Sequence, residues 1–560
     1  MILSDFGRAI SLFLFAQIAA VASPPQLPSP NPQSPIHFSP RPIDFVLDSC
    51  ESPQRHAPET MAGGVAVFDY DNDGRPDIFF TNGANLSTLQ KDSPKYYNRL
   101  FHNNGDGTFT DVTESSGLRG TGFDFGAAVG DYDNDGYEDI FVAGLYRNTL
   151  YHNNGDGTFT DVTKKSGLDK ADEEYGPLWS VGAAWVDINN DGLLDLFVVN
   201  YVKWNFNKEP DCSIDGKPEY CHPKFYGETP NQLFLNKGNG VFEDISASSG
   251  IRAHPGRGMG VGVADYDGTG REDIFVSNDK LFNFLFHNEG GNKFKEVAFD
   301  SGVALPSSGN LISGMGVDFR DLNNDGRPDL VLVALANETF PVYFNAGNGQ
   351  FDEVTSQSGM TGLSLSMAGY SPNIGDFDND GWKDLFVSRG DVESPNLAGR
   401  QAIDQPNSVF RNLGNGKWGA LTALAGFDAL PPRRHRGAAL GDFLGNGKLD
   451  IVVTGLSAPA ELWVNDSPGR NHWIELTLVG TKSNRDAIGA KVKIVAGGIA
   501  QWDQVSHAAG YGSSSATPLH FGLGAARTIE KIEIQWPSGV HQTVTQIAAD
   551  RIVRIVEPRQ

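Results

Sequence analysis

Asp69-Tyr70-Asp71-Asn72-Asp73-Gly74-Arg75-Pro76-Asp77 decides how this chain folds, because the same nine-residue pattern returns along the sequence. Its relatives begin at Asp131, Asp187, Asp265, Asp321, Asp376 and Asp442, at intervals of 62, 56, 78, 56, 55 and 66 residues. A period of about 60 residues fits one four-stranded propeller blade with its loops. Seven copies imply an all-β, seven-bladed β-propeller over residues 43–468. Each copy repeats one order of parts. A Gly/Ala-rich apolar run such as Gly126-Ala127-Ala128-Val129-Gly130 precedes the acidic loop, and a short apolar run such as Asp139-Ile140-Phe141-Val142-Ala143 follows it. Two further runs then flank an Asn-Gly or Asp-Gly turn, as in Leu150–Thr163, which reads as a β-meander.

Five residues before the first Asp stands Gly64, Gly126, Gly182, Gly260, Gly316 or Gly437, and only the sixth copy differs, with Ser371. An innermost strand crowded against the central axis explains that register. The last copy lacks a fourth strand. Ile43-Asp44-Phe45-Val46-Leu47 is expected to supply it and close the ring.

The spacing D-x-[DN]-x-D-G-x-x-D carries a mechanism. Oxygens at positions 1, 3 and 5 converge as the chain curls, Gly at position 6 allows the sharp turn, and Asp at position 9 returns from the next strand. Ca²⁺ takes six to eight such oxygens. Four carboxylates are present in loop one (Asp69, Asp71, Asp73, Asp77), loop two (Asp131, Asp133, Asp135, Asp139) and loop six (Asp376, Asp378, Asp380, Asp384). Loops three (Asp187, Asn189, Asp191, Asp195) and five (Asp321, Asn323, Asp325, Asp329) have three and an amide, and loop four offers Asp265, Asp267, Thr269 and Asp273. Loop seven keeps only Asp442 and Asp450 and is expected to be empty, so about six Ca²⁺ sites are expected. An EF-hand is excluded, because position 12 is apolar (Phe80, Val142, Val198) where that motif needs Glu. The ions are expected to staple each blade rather than take part in chemistry.

The composition agrees. A formal charge of −25 over 560 residues argues against nucleic-acid partners and against anionic membrane surfaces. Residues 1–22 read as an export signal, with an apolar run from Ala9 to Val21, and residues 23–42 as a Pro-rich linker. No other segment qualifies as a membrane span, so a secreted or periplasmic location is expected. Cys212 and Cys221 flank a short loop and are expected to form a disulfide, a Cys/His metal site with His222 being the rival reading; Cys50 is left over. Asn85, Asn337 and Asn465 head glycosylation-type triplets.

Three other features carry possible function. His102, His152 and His287 recur at one blade position before Asn, which suggests a strand-end packing or hydrogen-bonding role. Arg433-Arg434-His435-Arg436 is the densest basic cluster, either a solvated loop or an anion contact at a channel mouth. The insertion at 203–230, with Trp204, Phe206, Tyr220, Phe225 and Tyr226, has the length of a binding loop.

The repeats resemble FG-GAP/VCBS repeats, the blade unit also found in integrin α-chain heads. Residues 470–558 alternate apolar and polar residues, as in Trp473–Leu478, which predicts a small β-sandwich. They resemble the ASPIC/UnbV domain in Asn484-Arg485-Asp486-Ala487-Ile488-Gly489-Ala490, Gly510-Tyr511-Gly512-Ser513, Leu519-His520-Phe521-Gly522 and Trp536-Pro537-Ser538-Gly539. The combination resembles the cartilage acidic protein family. That resemblance implies an extracellular calcium-binding propeller, with adhesion or matrix association in some members and no established catalysis. The chain lacks the Cys-rich EGF-like module that animal members can carry. The first expectation is therefore a binding module for an extracellular protein or glycan and no enzyme. The alternative is an extracytoplasmic enzyme with a channel-mouth site for polysaccharide or a secondary metabolite.

Overall fold

The computed structural model describes residues 36–392, 402–421 and 425–559, so the expected export segment lies outside the described residues. Seven four-stranded antiparallel blades follow one another along the chain. Their inner strands are Val65–Phe68, Asp124–Gly130, Ser180–Val186, Gly258–Ala264, Val317–Arg320, Gly369–Gly375 and His435–Gly441. Each packs on the next in chain order, and that of blade seven packs on that of blade one, which closes the ring. The second strands are apolar after their first Asp for at least three residues because both of their faces are covered. In Asp139–Gly144, Ile140 and Val142 join a core with Phe79 of blade one, while Phe141 and Ala143 join one with Trp185 and Leu196 of blade three. Each such large apolar side chain, fully buried, contributes about 1.5–3 kcal/mol.

The strand that closes the ring is not 43–47 but Phe38–Arg41, which pairs antiparallel with Glu461–Asn465. Residues 43–47 make only isolated bridges, Val46 with Pro459 and Leu47 with Leu456. Residues 38–41 of the Pro-rich stretch expected over 23–42 therefore belong to the propeller. Two prolines disguised the strand. An outer edge strand tolerates them, since half of its amides have no sheet partner. Phe38 anchors it, fully buried and stacked 5.3 Å from Phe427.

The C-terminal domain is a sandwich of a three-stranded sheet (Leu519–Gly524, His472–Val479, Arg551–Val556) and a four-stranded one (Ile499–Gln504, Lys491–Ala496, Thr528–Gln535, His541–Ala548). It sits over the acidic loops, and its core is continuous with that of blades two and three. It also sends a hairpin, Ala508–Ala509 and Ser513–Ala516, into the bore of the propeller. Ser513–Ala516 runs parallel to the inner strand of blade one, with Ala66 opposite Ser514. At the tip, the Gly512 carbonyl accepts the Ala127 amide at 3.0 Å, and Gly510 exchanges backbone bonds with Val317 at 3.0 and 3.2 Å.

This hairpin completes the account of the inner-strand glycines. A Cβ on Gly64 would stand 2.4 Å from the Gly512 carbonyl oxygen, and one on Gly316 would stand 2.7 Å from the Gly510 carbonyl carbon. The exception has its own use: the Ser371 hydroxyl accepts the Tyr511 amide at 3.1 Å. Tyr511 is fully buried, donates its hydroxyl to the Met61 carbonyl at 2.8 Å and meets Tyr370 edge-on.

Candidate metal loops and the domain interface

All seven acidic loops curl in the same way. In loop one the Asp69 carboxylate accepts the amides of Asp73 and Gly74 at 3.0 and 2.8 Å, which turns the chain about that side chain. Gly74 has φ +88, the left-handed conformation the turn requires. Asp77, at the start of the next strand, accepts the amides of Tyr70 and Asn103 at 3.2 and 2.7 Å. The same bonds recur from Asp131 to Asp135 and Gly136, from Asp187 to Asp191 and Gly192, from Asp321 to Asp325 and Gly326, and from Asp376 to Asp380 and Gly381. Loop four keeps the bond from Gly270 to Asp265, and there the Thr269 amide bonds Asp267.

These bonds leave acceptor capacity over. Carboxylates of Asp69, Asp71 and Asp73 lie within 4.8 Å of one another, and so do groups of Asp71, Asp77 and His102, of Asp133, Asp135 and His152, and of Asp267, Asp273 and His287. Asp71 Oδ1, Asp265 Oδ1, Asp273 Oδ2 and Asp378 Oδ1 are buried with no hydrogen-bond partner. Burial and mutual repulsion push Asp77 up to about 8 and Asp69 to about 6, from an ordinary value near 4. Buried oxygens without donors and carboxyls held above their usual range fit a hard divalent cation. In the calcium reading Asp69, Asp71, Asp73 and Asp77, and their counterparts, would hold it.

Sequence reasoning left the histidines remote from this chemistry, yet each joins its own loop: His152 Nδ1 lies 3.2 Å from Asp139 and His287 Nδ1 3.1 Å from Asp273. The hydrogen-bonding role is present and its partner is the acidic cluster. The same strand position in blade six is Arg411. Its guanidinium lies 2.6 Å from Asp378 and 2.9 Å from Asp380, buried within one of the three four-carboxylate loops. In loop seven Leu444 stands exposed where a ligand is needed, and Trp473 packs against Gly447.

A second device was missed altogether. The third strand carries Asn103, Asn153, Asn236, Asn288, Asn345, Asn412 or Asn465 at or near its end, one per blade. Each amide side chain donates across to the acidic loop of the preceding blade: Asn153 to the Tyr70 carbonyl, Asn236 to Tyr132, Asn288 to Ile188, Asn345 to Tyr266, Asn412 to Leu322 and Asn465 to Phe377. Asn103 completes the circle on Phe443. Asn465 is thus a buried structural residue and no glycan acceptor in the folded chain. Presence of Asn in all seven copies was the available signal.

The basic cluster is paired and packed rather than solvated. Arg434 makes a bidentate pair with Glu51 at 2.5 and 3.0 Å, Arg433 and His435 reach Glu461, and Arg436 is fully buried with its guanidinium over the Tyr370 ring. The insertion packs on the face opposite the acidic loops. Cys212 and Cys221 form a disulfide there, which removes the Cys/His metal reading. Trp204 is buried, whereas Phe206, Ile214 and Phe225 are exposed. Cys50 is half-buried and accepts the Tyr96 hydroxyl at 3.5 Å.

The profile of FG-GAP-like repeats matches residues 69–142, 131–198, 215–276, 265–332 and 321–387, and that of the ASPIC and UnbV domain matches residues 480–560. Cartilage acidic protein 1 of Homo sapiens is 26% identical over 522 residues, covering 90% of this chain and 73% of that protein. Its counterpart in Xenopus tropicalis is 25% identical, covering 86% and 71%. Integrin alpha-4 of Xenopus laevis is 30% identical over 144 residues, 24% of this chain and 12% of the integrin. With its repeats, its closed ring of blades and its capping sandwich, the chain belongs to the family of FG-GAP repeat proteins that carry a C-terminal ASPIC/UnbV domain.

Proposed function

We propose that this protein is an exported calcium-binding propeller that serves as a binding module for a protein or glycan outside the cytoplasm, and that it is not an enzyme. The observation that carries the calcium reading is the set of buried carboxylate oxygens with no hydrogen-bond partner among the described residues, Asp71 Oδ1 and Asp378 Oδ1 at the third position of loops one and six and Asp265 Oδ1 and Asp273 Oδ2 in loop four. Two features favour binding over catalysis. The bore, where the catalytic alternative would place its site, is filled by the Gly510-Tyr511-Gly512 tip. The disulfide-tied insertion presents Phe206, Ile214 and Phe225 on a rigid scaffold. Similarity to cartilage acidic protein 1 and to an integrin α-chain supports an extracellular setting. Among the described residues no helix is long and apolar enough to cross a membrane. Metal analysis of the purified protein should find several equivalents of calcium. A protein and glycan array, run with and without calcium, should then find a ligand whose retention falls when Phe206 and Phe225 are replaced by Ser. A protein without calcium, or an array hit indifferent to those two residues, would overturn this reading.

A further inference from the structure

In two acidic loops the C-terminal domain meets charge with opposite charge. Lys491 lies 2.5 Å from Asp265 and its charge also acts on Glu272. Asp503 lies 3.8 Å from Lys383 and 3.4 Å from Arg320. At loop two like charge meets like charge. Glu138 faces Asp486, whose Oδ2 accepts the Asp131 amide at 2.8 Å, and Glu138 Oε2 is buried with no hydrogen-bond partner. The cationic side chain acting on Asp486, that of Arg485, makes no ion pair with it among the described residues.

The third member of this cluster is His507, which is more than nine-tenths buried. Its Nδ1 lies 3.1 Å from the Val129 carbonyl, an acceptor, so Nδ1 carries the proton and Nε2 is left basic, with no hydrogen-bond partner among the described residues. A backbone carbonyl on the far ring nitrogen is how metal-ligating histidines are oriented. Glu138, Asp486 and His507 each offer a ligand atom within 4.8 Å of the others, and all three line a cleft of about 690 Å³ between the propeller and the C-terminal domain.

We propose that Glu138, Asp486 and His507 bind one divalent transition-metal ion at the domain interface, distinct from the calcium loops. One imidazole with two carboxylates suits Zn²⁺ or Mn²⁺, whereas Ca²⁺ takes oxygen alone. Water from the cleft completes the coordination. The site assigns a role to Asp486 of the Asn-Arg-Asp motif: it brings one ligand from the C-terminal domain to meet Glu138 of blade two, and the ion fastens the two domains.

The test uses the untagged full chain in millimolar calcium, with Co²⁺ as an optical probe and Zn²⁺ as competitor. The wild type should bind one equivalent of Co²⁺ with visible d–d absorption that Zn²⁺ displaces. H507Q and E138Q should each weaken Co²⁺ binding by more than about 100-fold, beyond the loss of an outer-shell partner, with bound calcium unchanged. Calcium content reports on folding: if one variant loses it, the other decides. A wild type that takes up no Co²⁺ or Zn²⁺, or folded variants that bind Co²⁺ as the wild type does, would overturn the proposal.

Discussion

Asn153 shows how much one side chain does in this fold. Its amide N–H bonds Asp139 at 2.8 Å, its side-chain NH₂ bonds the carbonyls of Tyr70 and Glu138, and its side-chain oxygen accepts the Gly155 amide. Replacing it with Ala strands the Tyr70 and Glu138 carbonyls and the Gly155 amide, while the backbone bond to Asp139 remains. We expect N153A to lose about 1–3 kcal/mol of stability, read from denaturant unfolding, and to weaken calcium binding in loops one and two. Blade six makes the opposite point. Arg411 brings a guanidinium to Asp378 and Asp380, so in the calcium reading the ion would compete there with a covalently attached cation. Arg411→His restores the residue found in blades one, two and four. This variant should raise bound calcium by about one equivalent in equilibrium dialysis; an unchanged count would show that the guanidinium does not compete.

At the scale of elements, the hairpin 508–516 decides how the two domains are joined. Tyr511 fills the bore and is held by the Ser371 hydroxyl and the Met61 carbonyl. Tyr511→Ala removes a buried aromatic ring at a cost of about 3–5 kcal/mol and leaves a cavity on the axis. The measurable result is faster limited proteolysis between the domains, near residues 466–471, with the blades themselves still protected. Little of this was legible in advance. Gly510-Tyr511-Gly512 stands out as a motif, but nothing local says that it enters a bore built by residues up to 450 positions away. Arg434 likewise reads as solvated until Glu51, 383 residues distant, is placed beside it. The closing strand was concealed by composition, since Pro40 and Pro42 look like linker residues until their edge position is known. By contrast the blades and acidic loops were readable, because every ligand and turn residue of one loop lies within nine positions and the pattern repeats.

For the whole molecule, the calcium reading has the metal and protons competing for the same carboxyls. Asp77 is pushed up to about 8 and Asp69 to about 6 in the folded chain, against an ordinary value near 4 once unfolded. Stripped of calcium, the folded protein therefore binds more protons than the unfolded one between about pH 4 and 8, and its stability falls as pH rises through that window. With calcium the carboxylates are ionised on the metal, and affinity grows as pH rises. The gap between the melting temperatures with calcium and with EDTA should widen from pH 5.5 to pH 8. A gap independent of pH would argue against metal in these loops.

The hairpin and the closing strand together set an order of events during biosynthesis. Phe38–Arg41, which zips blade seven, is among the earliest of the described residues to leave the ribosome, and Ser513–Ala516, which lines the bore, is among the last. No intermediate length of chain can satisfy both. A nascent polypeptide halted before residue 516 presents a hollow, glycine-edged lumen with unpaired amides at Ala127 and Val317, a surface open to aggregation until the hairpin has been made.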